Sequence, residues 1–323
     1  MQTIRYPLGS TDITISPIGL GCWQFSGGQG MVGKYWRALE QEQVNEIVKV
    51  SLGGGINWLD TAEAYGWGRS EQAVSAALTA NNIGPGGVVI ATKWFPLLRP
   101  AGSLEKSFPS RLEALSPYGV DLHQIHFPAS ISSLDKQIDG MIRLAEAKQI
   151  RAVGISNFSA KQMRRAHERL QRSGMALASN QVRYSMLDRK IEENGVLETA
   201  RELGITIIAY SPLSQGILTG KYHKDPDALS RLTGPRKMMR QFRQAGLAKT
   251  RPLIDELDSV ATQHDASPAK VALAWTIRRA GKTVVAIPGA SSASQAQSNA
   301  EAMRVELTDD EIKRLDHVSR TVV

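Results

Sequence analysis

The chain reads as an α/β protein, a (β/α)8 TIM barrel with an N-terminal β-hairpin, a long loop after strand 7 and a C-terminal helix. Three observations predict this. Eight short apolar runs recur along the 323 residues, separated by amphipathic segments. The runs are mostly Val, Ile, Leu and Ala, as strands buried on both faces are. Several end in a polar or ionisable residue, and the C-terminal ends of its strands are where a parallel barrel carries its chemistry.

The elements follow in order. Residues 3–15 form a hairpin around Gly9-Ser10-Thr11-Asp12, which has the composition of a turn and would close the barrel bottom. The eight strand-like runs are 17–20, 57–60, 88–92, 122–126, 152–155, 178–182, 206–210 and 284–287. After the first run, residues 41–52 place Val44, Ile47, Val48 and Leu52 on one helical stripe. The segment 159–170 opens on Ser159, a plausible helix cap. The helical pattern of 193–203 stops at Gly204, the left-handed position that glycine fills most cheaply. Thr308 and Glu311 form a capping box at the start of a terminal helix. Without a break in composition, the whole of 1–323 is expected to be one domain. An open doubly wound sheet would need a glycine-rich dinucleotide loop after the first strand, and Gly19-Leu20-Gly21 lacks its third glycine.

Residues 213–251 are a long insertion after the seventh strand. Within it, Arg231, Arg236, Lys237, Arg240, Arg243, Lys249 and Arg251 fall in a stretch with no acid. Segments of this length are usually functional or mobile. The plain alternative is a solvated run of charge.

Hydrophobic residues make up 42% of the chain and charged residues 22%, enough apolar content for one large core. The net charge of +8 fits nucleic acid, a membrane surface, an anionic small molecule or simply a basic surface. Cys22 is the only cysteine, so no intramolecular disulfide forms, which fits a reducing compartment. The N-terminus has no apolar signal region, and no run reaches the roughly 20 apolar residues of a membrane span. The expectation is a soluble, cytoplasmic protein.

Two apparent motifs are discarded. The stretch from Gly28 to Gly33, Lys34 and Tyr35 nearly spells a phosphate-binding loop, but Tyr35 stands where Ser or Thr would hold magnesium. His123 and His126 are three apart, and on a strand such residues face opposite ways, so no metal site is expected.

Asp60, Tyr65, Lys93 and His126 carry the chemical signal. They follow or end three of the strand-like runs, and an acid, a phenol, an amine and an imidazole converging there could tune a proton donor. Each also has a structural alternative. Asp60 and Lys93 could be a barrel ion pair, Tyr65 a rim aromatic, and His126 a core histidine. Asn157 and Gln181 could tie loops together, and Trp23 and Trp58 could be core. The convergence on strand ends favours the chemical reading.

Asp60-x-x-x-x-Tyr65-Gly66 resembles the signature of the aldo-keto reductase superfamily. Similar segments follow in the family's order: 91–93, 121–128, 153–158, 180–184, 209–213 and 287–289. The likeness spans about residues 7–317, and the spelling of 210–221 is closest to the bacterial and plant branches with pyridoxal reductase-like and potassium-channel β-subunit-like members. The resemblance implies reduction of aldehydes, and of some ketones, by hydride from NAD(P)H. Tyr65 would be the general acid, its pKa lowered by Lys93. Asp60 would hold Lys93, and His126 would orient the carbonyl.

By position, the resemblance also implies cofactor contacts. Gly21, Cys22 and Trp23 would border the cofactor. Ser156, Asn157 and Gln181 would meet the nicotinamide amide, and Tyr210 would stack on its ring. Ser211, Pro212, Leu213, Gln215, Gly216 and Lys221 would lie by the pyrophosphate, and Gly289, Ser291, Gln295 and Asn299 around the adenosine end. Trp23, Trp58, Trp94 and Phe127 would line the substrate pocket. NADP-preferring relatives carry a cation just after the last strand, whereas residues 288–295 have none. Ser291 and Ser292 bring no charge, so Arg236, Lys237 or Arg240 would have to supply it; on that basis NADP(H) is favoured over NAD(H).

No long C-terminal tail is expected over the barrel mouth, which implies a broad or small-aldehyde range. The partner is a small carbonyl compound, with no nucleic acid or membrane, and oligomeric state is left open. The competing function is a cofactor-binding, redox-sensing subunit of another protein with little turnover. Nucleic-acid binding through the basic loop lacks interleaved aromatics.

Overall fold

The computed structural model describes residues 4–30, 35–232 and 234–323. Thr3 and the Gly33-Lys34 portion of the phosphate-loop-like stretch lie outside the described residues. Strands β1 (Tyr6–Pro7) and β2 (Thr14–Ile15) pair antiparallel, with Gly9 at φ 57° in the turn. The eight barrel strands are β3 (Leu20–Gly21), β4 (Trp58–Asp60), β5 (Val89–Trp94), β6 (Val120–Ile125), β7 (Ile150–Ser156), β8 (Leu177–Arg183), β9 (Thr206–Tyr210) and β10 (Val284–Ile287). They form one parallel sheet in chain order. Bridges Ile18↔Ala286 and Gly21↔Gly289 join its first and last strands, closing the ring.

The main flanking helices are α1 (Gln41–Gly53), α2 (Arg69–Ala80), α3 (Gly102–Leu115), α4 (Leu134–Glu146), α5 (Ala160–Gln171) and α6 (Val196–Leu203). They continue with α7 (Gln244–Gln263), α8 (Pro268–Arg278), α9 (Ala293–Glu301) and α10 (Asp309–Val322). Their ends follow the local chemistry. Ser159 caps α5 and Thr308 caps α10, each with a reciprocal capping box, and Gly204 ends α6 at φ 64°. Helix α1 buries Val44, Ile47 and Val48, the stripe its spacing predicts, while Leu52 is half-buried.

The barrel interior is layered. Trp58, Ala91, Leu122, Ala152, Ala178, Ile208 and Val285 form an apolar lower layer, packed on Leu8, Ile13 and Ile15 from the hairpin. This is the floor. The Trp58 Nε1 donates to the Ser16 carbonyl at 3.0 Å, which satisfies the one polar atom of that ring. Gly19 makes room for the ring, since a Cβ there would fall 2.3 Å from Trp58 Cε2. Side chains alternate along a strand, so two residues beyond Trp58, Ala91 and Leu122 the interior receives Asp60, Lys93 and Gln124. Gly154 leaves space for this polar layer, because a Cβ there would lie 2.8 Å from Gln124 Cγ.

The insertion is more ordered than its length suggests. It contains a 3-10 segment Ser214–Thr219, helical turns Lys221–Lys224 and Pro226–Ser230, and the start of α7. Ile217, Leu232, Phe242 and Leu247 give it a small core of its own. No helix among the described residues is long and apolar enough to cross a membrane.

Candidate active site

Lys93 is completely buried, and its Nζ donates to Asp60 Oδ1 at 2.5 Å and to the Thr61 carbonyl at 2.9 Å. The other Asp60 oxygen accepts from Gln124 Nε2 at 3.0 Å and Gln181 Nε2 at 2.8 Å. The carboxylate thus has a partner on each oxygen, which a buried charge requires. Tyr65 lies above this pair, its ring centroid 5.0 Å from Lys93 Nζ. His126 packs edge-on against Tyr65 with ring centroids 5.8 Å apart, and its backbone N–H is held by the Trp94 carbonyl. The four expected residues therefore meet at the carboxyl ends of β4, β5 and β6.

The loops that carry them are tied from behind. The Ser70 hydroxyl at the start of α2 donates to the Cys22 carbonyl at 2.7 Å and accepts from Thr61 Oγ1 at 2.8 Å. Beside it, Glu71 accepts from the Thr92 hydroxyl at 2.6 Å and pairs with Arg111 at 3.0 Å. One helical turn thereby fixes the neighbours of Asp60 and Lys93.

Burial sets the protonation states. Burial pulls the Lys93 ammonium down, but the Asp60 carboxylate and Tyr65 outweigh it and leave Lys93 above its usual range, hence charged. Burial pushes the Tyr65 phenol up; Lys93 pulls it back and Asp60 pushes it up again, and the net direction is upward. The expectation of a lowered Tyr65 pKa is corrected here: the contribution of Lys93 has the expected sign, but desolvation of the phenolate is larger. Burial, then Lys93, hold His126 well below the usual imidazole range, so it is neutral. The site offers a protonated phenol, a neutral imidazole and a buried ammonium.

A cleft of about 1250 Å³ runs from Tyr65 and His126 across the barrel mouth to Asn299. Every residue that the resemblance places at a cofactor lines it: Gly21, Cys22, Trp23, Ser156, Asn157, Gln181, Tyr210, Ser211, Pro212, Leu213, Gln215, Gly216, Lys221, Arg236, Gly289, Ser291, Gln295 and Asn299. Some are also tied to one another. Tyr210 donates to Asn157 Oδ1 at 3.1 Å, and the Asn157 amide donates to Ser156 Oγ and the His126 carbonyl. The Gln181 amide N–H group is spent on Asp60, leaving its carbonyl side for other donors.

Two of the four expected substrate-pocket residues stand elsewhere. Trp23 and Phe127 line the cleft, whereas Trp58 and Trp94 do not. Trp58 points inward but one layer below Asp60, in the floor. Trp94 follows inward-facing Lys93, so the strand turns it outward into the layer between sheet and helices, where Arg99 covers its ring at 5.7 Å. Phe95 lines the cleft instead, and Gln124 supports Asp60 from below. Neither was anticipated. For Phe95 the position at the end of β5 was a usable signal, and for Gln124 the alternation with inward-facing Leu122 was another. Of the three cations considered for a phosphate, Arg236 lines the cleft and lies over the Trp36 ring at 4.4 Å, while Lys237 and Arg240 do not reach it. Arg231 also lines the cleft, paired with Asp225 at 2.7 Å.

The donor set fits a nicotinamide dinucleotide. At one end are amide and hydroxyl groups beside a tyrosine face. In the middle, Ser211, Ser214 and Gln215 hold positive φ values of 51°, 46° and 55°, followed by Gly216 at 101°. Strain of this kind in side-chain-bearing residues clusters at ligand sites, and the buried Gln215 Oε1 has no partner among the described residues. At the far end, Ser291 lies just before the N-terminus of α9, whose dipole favours anionic groups, and Gln295 and Asn299 face the cleft from along the helix.

A closed parallel barrel with a polar cluster at the carboxyl ends of its strands and an elongated cleft beside it defines an enzyme of the TIM-barrel class. A profile of the aldo/keto reductase family matches residues 17–320, and the chain belongs to that family. It is 32% identical to the chloroplastic pyridoxal reductase of Arabidopsis thaliana over 95% of this chain and 84% of that protein. It is 35% identical to an uncharacterised oxidoreductase of Mycobacterium tuberculosis, covering 91% of this chain and 86% of that one. Among solved structures it resembles a glycerol dehydrogenase from Gluconobacter oxydans, with TM-score 0.83 and 27% identity over 98% of this chain and 95% of that chain. The chain is therefore an oxidoreductase of a family that uses nicotinamide cofactors.

Proposed function

We propose that the chain reduces aldehydes, and some ketones, to alcohols with NADPH in preference to NADH, using Tyr65 as the proton donor. The observation that carries this reading is the protonated Tyr65 phenol set between buried, charged Lys93 and neutral His126 at the edge of the cleft. A nicotinamide cofactor, when held in the cleft, would supply hydride chemistry at the carbonyl carbon. Tyr65 gives its phenolic proton to the carbonyl oxygen, completing the alcohol. Lys93 stabilises the negative charge left on Tyr65, and Asp60, held by Gln124 and Gln181, keeps Lys93 in place. A neutral His126 has one ring N–H to donate to the carbonyl oxygen and orient it.

The preference for NADPH rests on charge. Ser291 and Gln295 are hydrogen-bonded to each other and bring none, whereas Arg236 reaches the cleft from the insertion. The test is side-by-side oxidation of NADPH and NADH with an aldehyde panel including pyridoxal and 4-nitrobenzaldehyde. Tyr65→Phe should lower turnover by about 10²- to 10⁴-fold, the range for a lost general acid. Full activity in Tyr65→Phe would remove the assigned role. Quenching of tryptophan fluorescence by the cofactor with no turnover of any carbonyl would favour a redox-sensing subunit instead.

A further inference from the structure

We propose that the barrel mouth docks on an anionic lipid surface, through exposed apolar side chains on the loops after β4, β5 and β6 and through the basic insertion after β9. The inference goes beyond the reductase reading and does not depend on it. Of the seven large apolar side chains exposed among the described residues, Ile4 and Val323 lie beside the chain ends. The other five sit on loops at the carboxyl ends of the parallel strands: Trp67 after β4, Leu97 and Leu98 after β5, Ile131 after β6, and Met238 in the insertion. They stand well out in solvent, with Leu98 at 78%, Met238 at 75%, Ile131 at 68% and Trp67 at 55% exposed. Trp67 and Leu98 also hold positive φ, 56° and 55°. Bulky side chains rarely adopt that backbone, and such strain persists where function holds it. Scattered exposed apolar residues are ordinary, but a group gathered on one face marks a protein or membrane contact.

These loops form one surface. The Ile131 N–H donates to the Arg99 carbonyl at 3.3 Å, and the Trp67 ring meets Phe95 edge-on at 5.9 Å, which joins the loops after β4, β5 and β6. The loop after β3 links them to the insertion. A Cβ on Gly30 would lie 3.5 Å from Gly66 Cα and from Trp67 Nε1, and Trp36 carries the Arg236 guanidinium on its face. The charge of the surface has one sign. Residues 64–70, 95–104, 127–134 and 229–254 contain no acid, and Glu63 is buried against Arg99. Arg69 is exposed beside Trp67, and Lys237, Arg240 and Arg243 are exposed around Met238; among the described residues none of these four cations has an ion-pair partner. Arg99 and Arg231, by contrast, are spent on Glu63 and Asp225. Apolar side chains that enter the headgroup layer, flanked by cations that meet lipid phosphates and carboxylates, hold a protein on an anionic bilayer. A second copy fits worse, because two basic faces repel. The expectation of no membrane partner is thereby narrowed to spanning: no helix among the described residues is long and apolar enough to cross a bilayer, and docking at its surface needs none.

Co-sedimentation with phosphatidylcholine vesicles, with and without about 30 mol% phosphatidylserine, tests this. At about 0.05 M salt the serine-containing vesicles should bind the chain about tenfold or more tightly than the neutral ones, and about 0.5 M salt should weaken that binding. Leu98→Glu combined with Ile131→Glu should weaken it about tenfold, through the loss of inserted apolar surface. Lys237→Gln combined with Arg240→Gln should weaken it about five- to twentyfold, the worth of two cations at an anionic leaflet. All four side chains are exposed, so both variants keep the fold. Tryptophan emission should shift to the blue on binding, and lipids brominated in the acyl chain should quench it; Trp67→Phe should remove that quenching while binding persists. No binding to either kind of vesicle would overturn the proposal. Binding that depends on the cations alone, with no effect of Leu98→Glu and Ile131→Glu and no quenching of Trp67, would be adsorption of a basic protein and would overturn it as well. A dimer that dissolves in the Leu98→Glu and Ile131→Glu variant, without vesicle binding by the wild type, would assign the face to a second copy of the chain instead. Each of these results stands whether or not the chain turns over a carbonyl compound, so the docking and the reductase reading fail separately.

Discussion

Replacing Glu71 by Gln probes the buried electrostatics behind the site without knowledge of the substrate. Glu71 has no exposed surface, and burial pushes its carboxyl up to about 7 against the opposing pull of Arg111 and Thr92. The corresponding unfolded value is 4.5, so between pH 4.5 and about 7 the folded chain holds a proton that the unfolded chain has lost. The contribution of Glu71 is therefore fully present below pH 4.5 and disappears as pH rises through about 7. At about 1.4 kcal/mol per pKa unit, this is on the order of 3 kcal/mol. Neighbouring His123 works in the opposite sense. Burial, then Arg111, push it down to about 3, so its contribution is present above 6.5 and lost as pH falls. The two windows overlap, and the total stability curve conceals both. The informative quantity is the difference in unfolding free energy between the wild type and Glu71→Gln, measured by urea titration across pH 4.5 to about 8. Relative to the variant, the wild type should lose on the order of 3 kcal/mol over that range. A flat difference, or one that grows with pH, would refute the reasoning, because it would mean that the Arg111 pair prevails over burial and Glu71 is ionised throughout.

Three further perturbations follow from the same geometry. Lys93→Met strands the Asp60 carboxylate in the barrel and should cost about 3–5 kcal/mol, with most of it recovered when Asp60→Asn is added; chemical denaturation of the single and double variants measures the recovery, and additive losses would contradict a coupled pair. Gly19→Ala drives a methyl group into the Trp58 ring and should destabilise by about 1–3 kcal/mol or more, seen as a fall in Tm; an unchanged Tm would mean that the floor yields. Arg236→Ala should weaken NADPH binding about tenfold, as expected for a charge-assisted contact, with NADH and the Lys237→Ala variant serving as controls; unchanged NADPH affinity would exclude the insertion as the phosphate clamp.

The barrel and the meeting of Asp60, Tyr65, Lys93 and His126 were legible because both rest on local patterns: short apolar runs, and polar residues at their ends. The positions assigned to a cofactor came from the likeness to the family rather than from local pattern, and they line the cleft. Trp94 was misplaced although alternation from Lys93 already turned it outward. Trp58 has the right face and the wrong height, and height within a barrel depends on how neighbouring strands are staggered. The net shift at Tyr65 was not legible at all: the sequence shows which charges are present, but not how much water the phenol has lost. The turns within the insertion were obscured by its charge, since its apolar residues, Ile217, Leu232, Phe242 and Leu247, are too scattered for one periodic stripe.

The hairpin and Trp58 give the barrel a sealed lower end. The chamber around Lys93 therefore communicates with water in one direction only, through the same mouth that admits the reactants. Under the proposed function, a proton given up by Tyr65 would have to be replaced by that route. Refilling the acid would then be coupled to clearance of the cleft, so that departure of the proposed alcohol product and readiness for the next turnover would become one event. An opening cut through the floor, by shortening Trp58 or trimming the hairpin, would give protons a back entrance and separate the two.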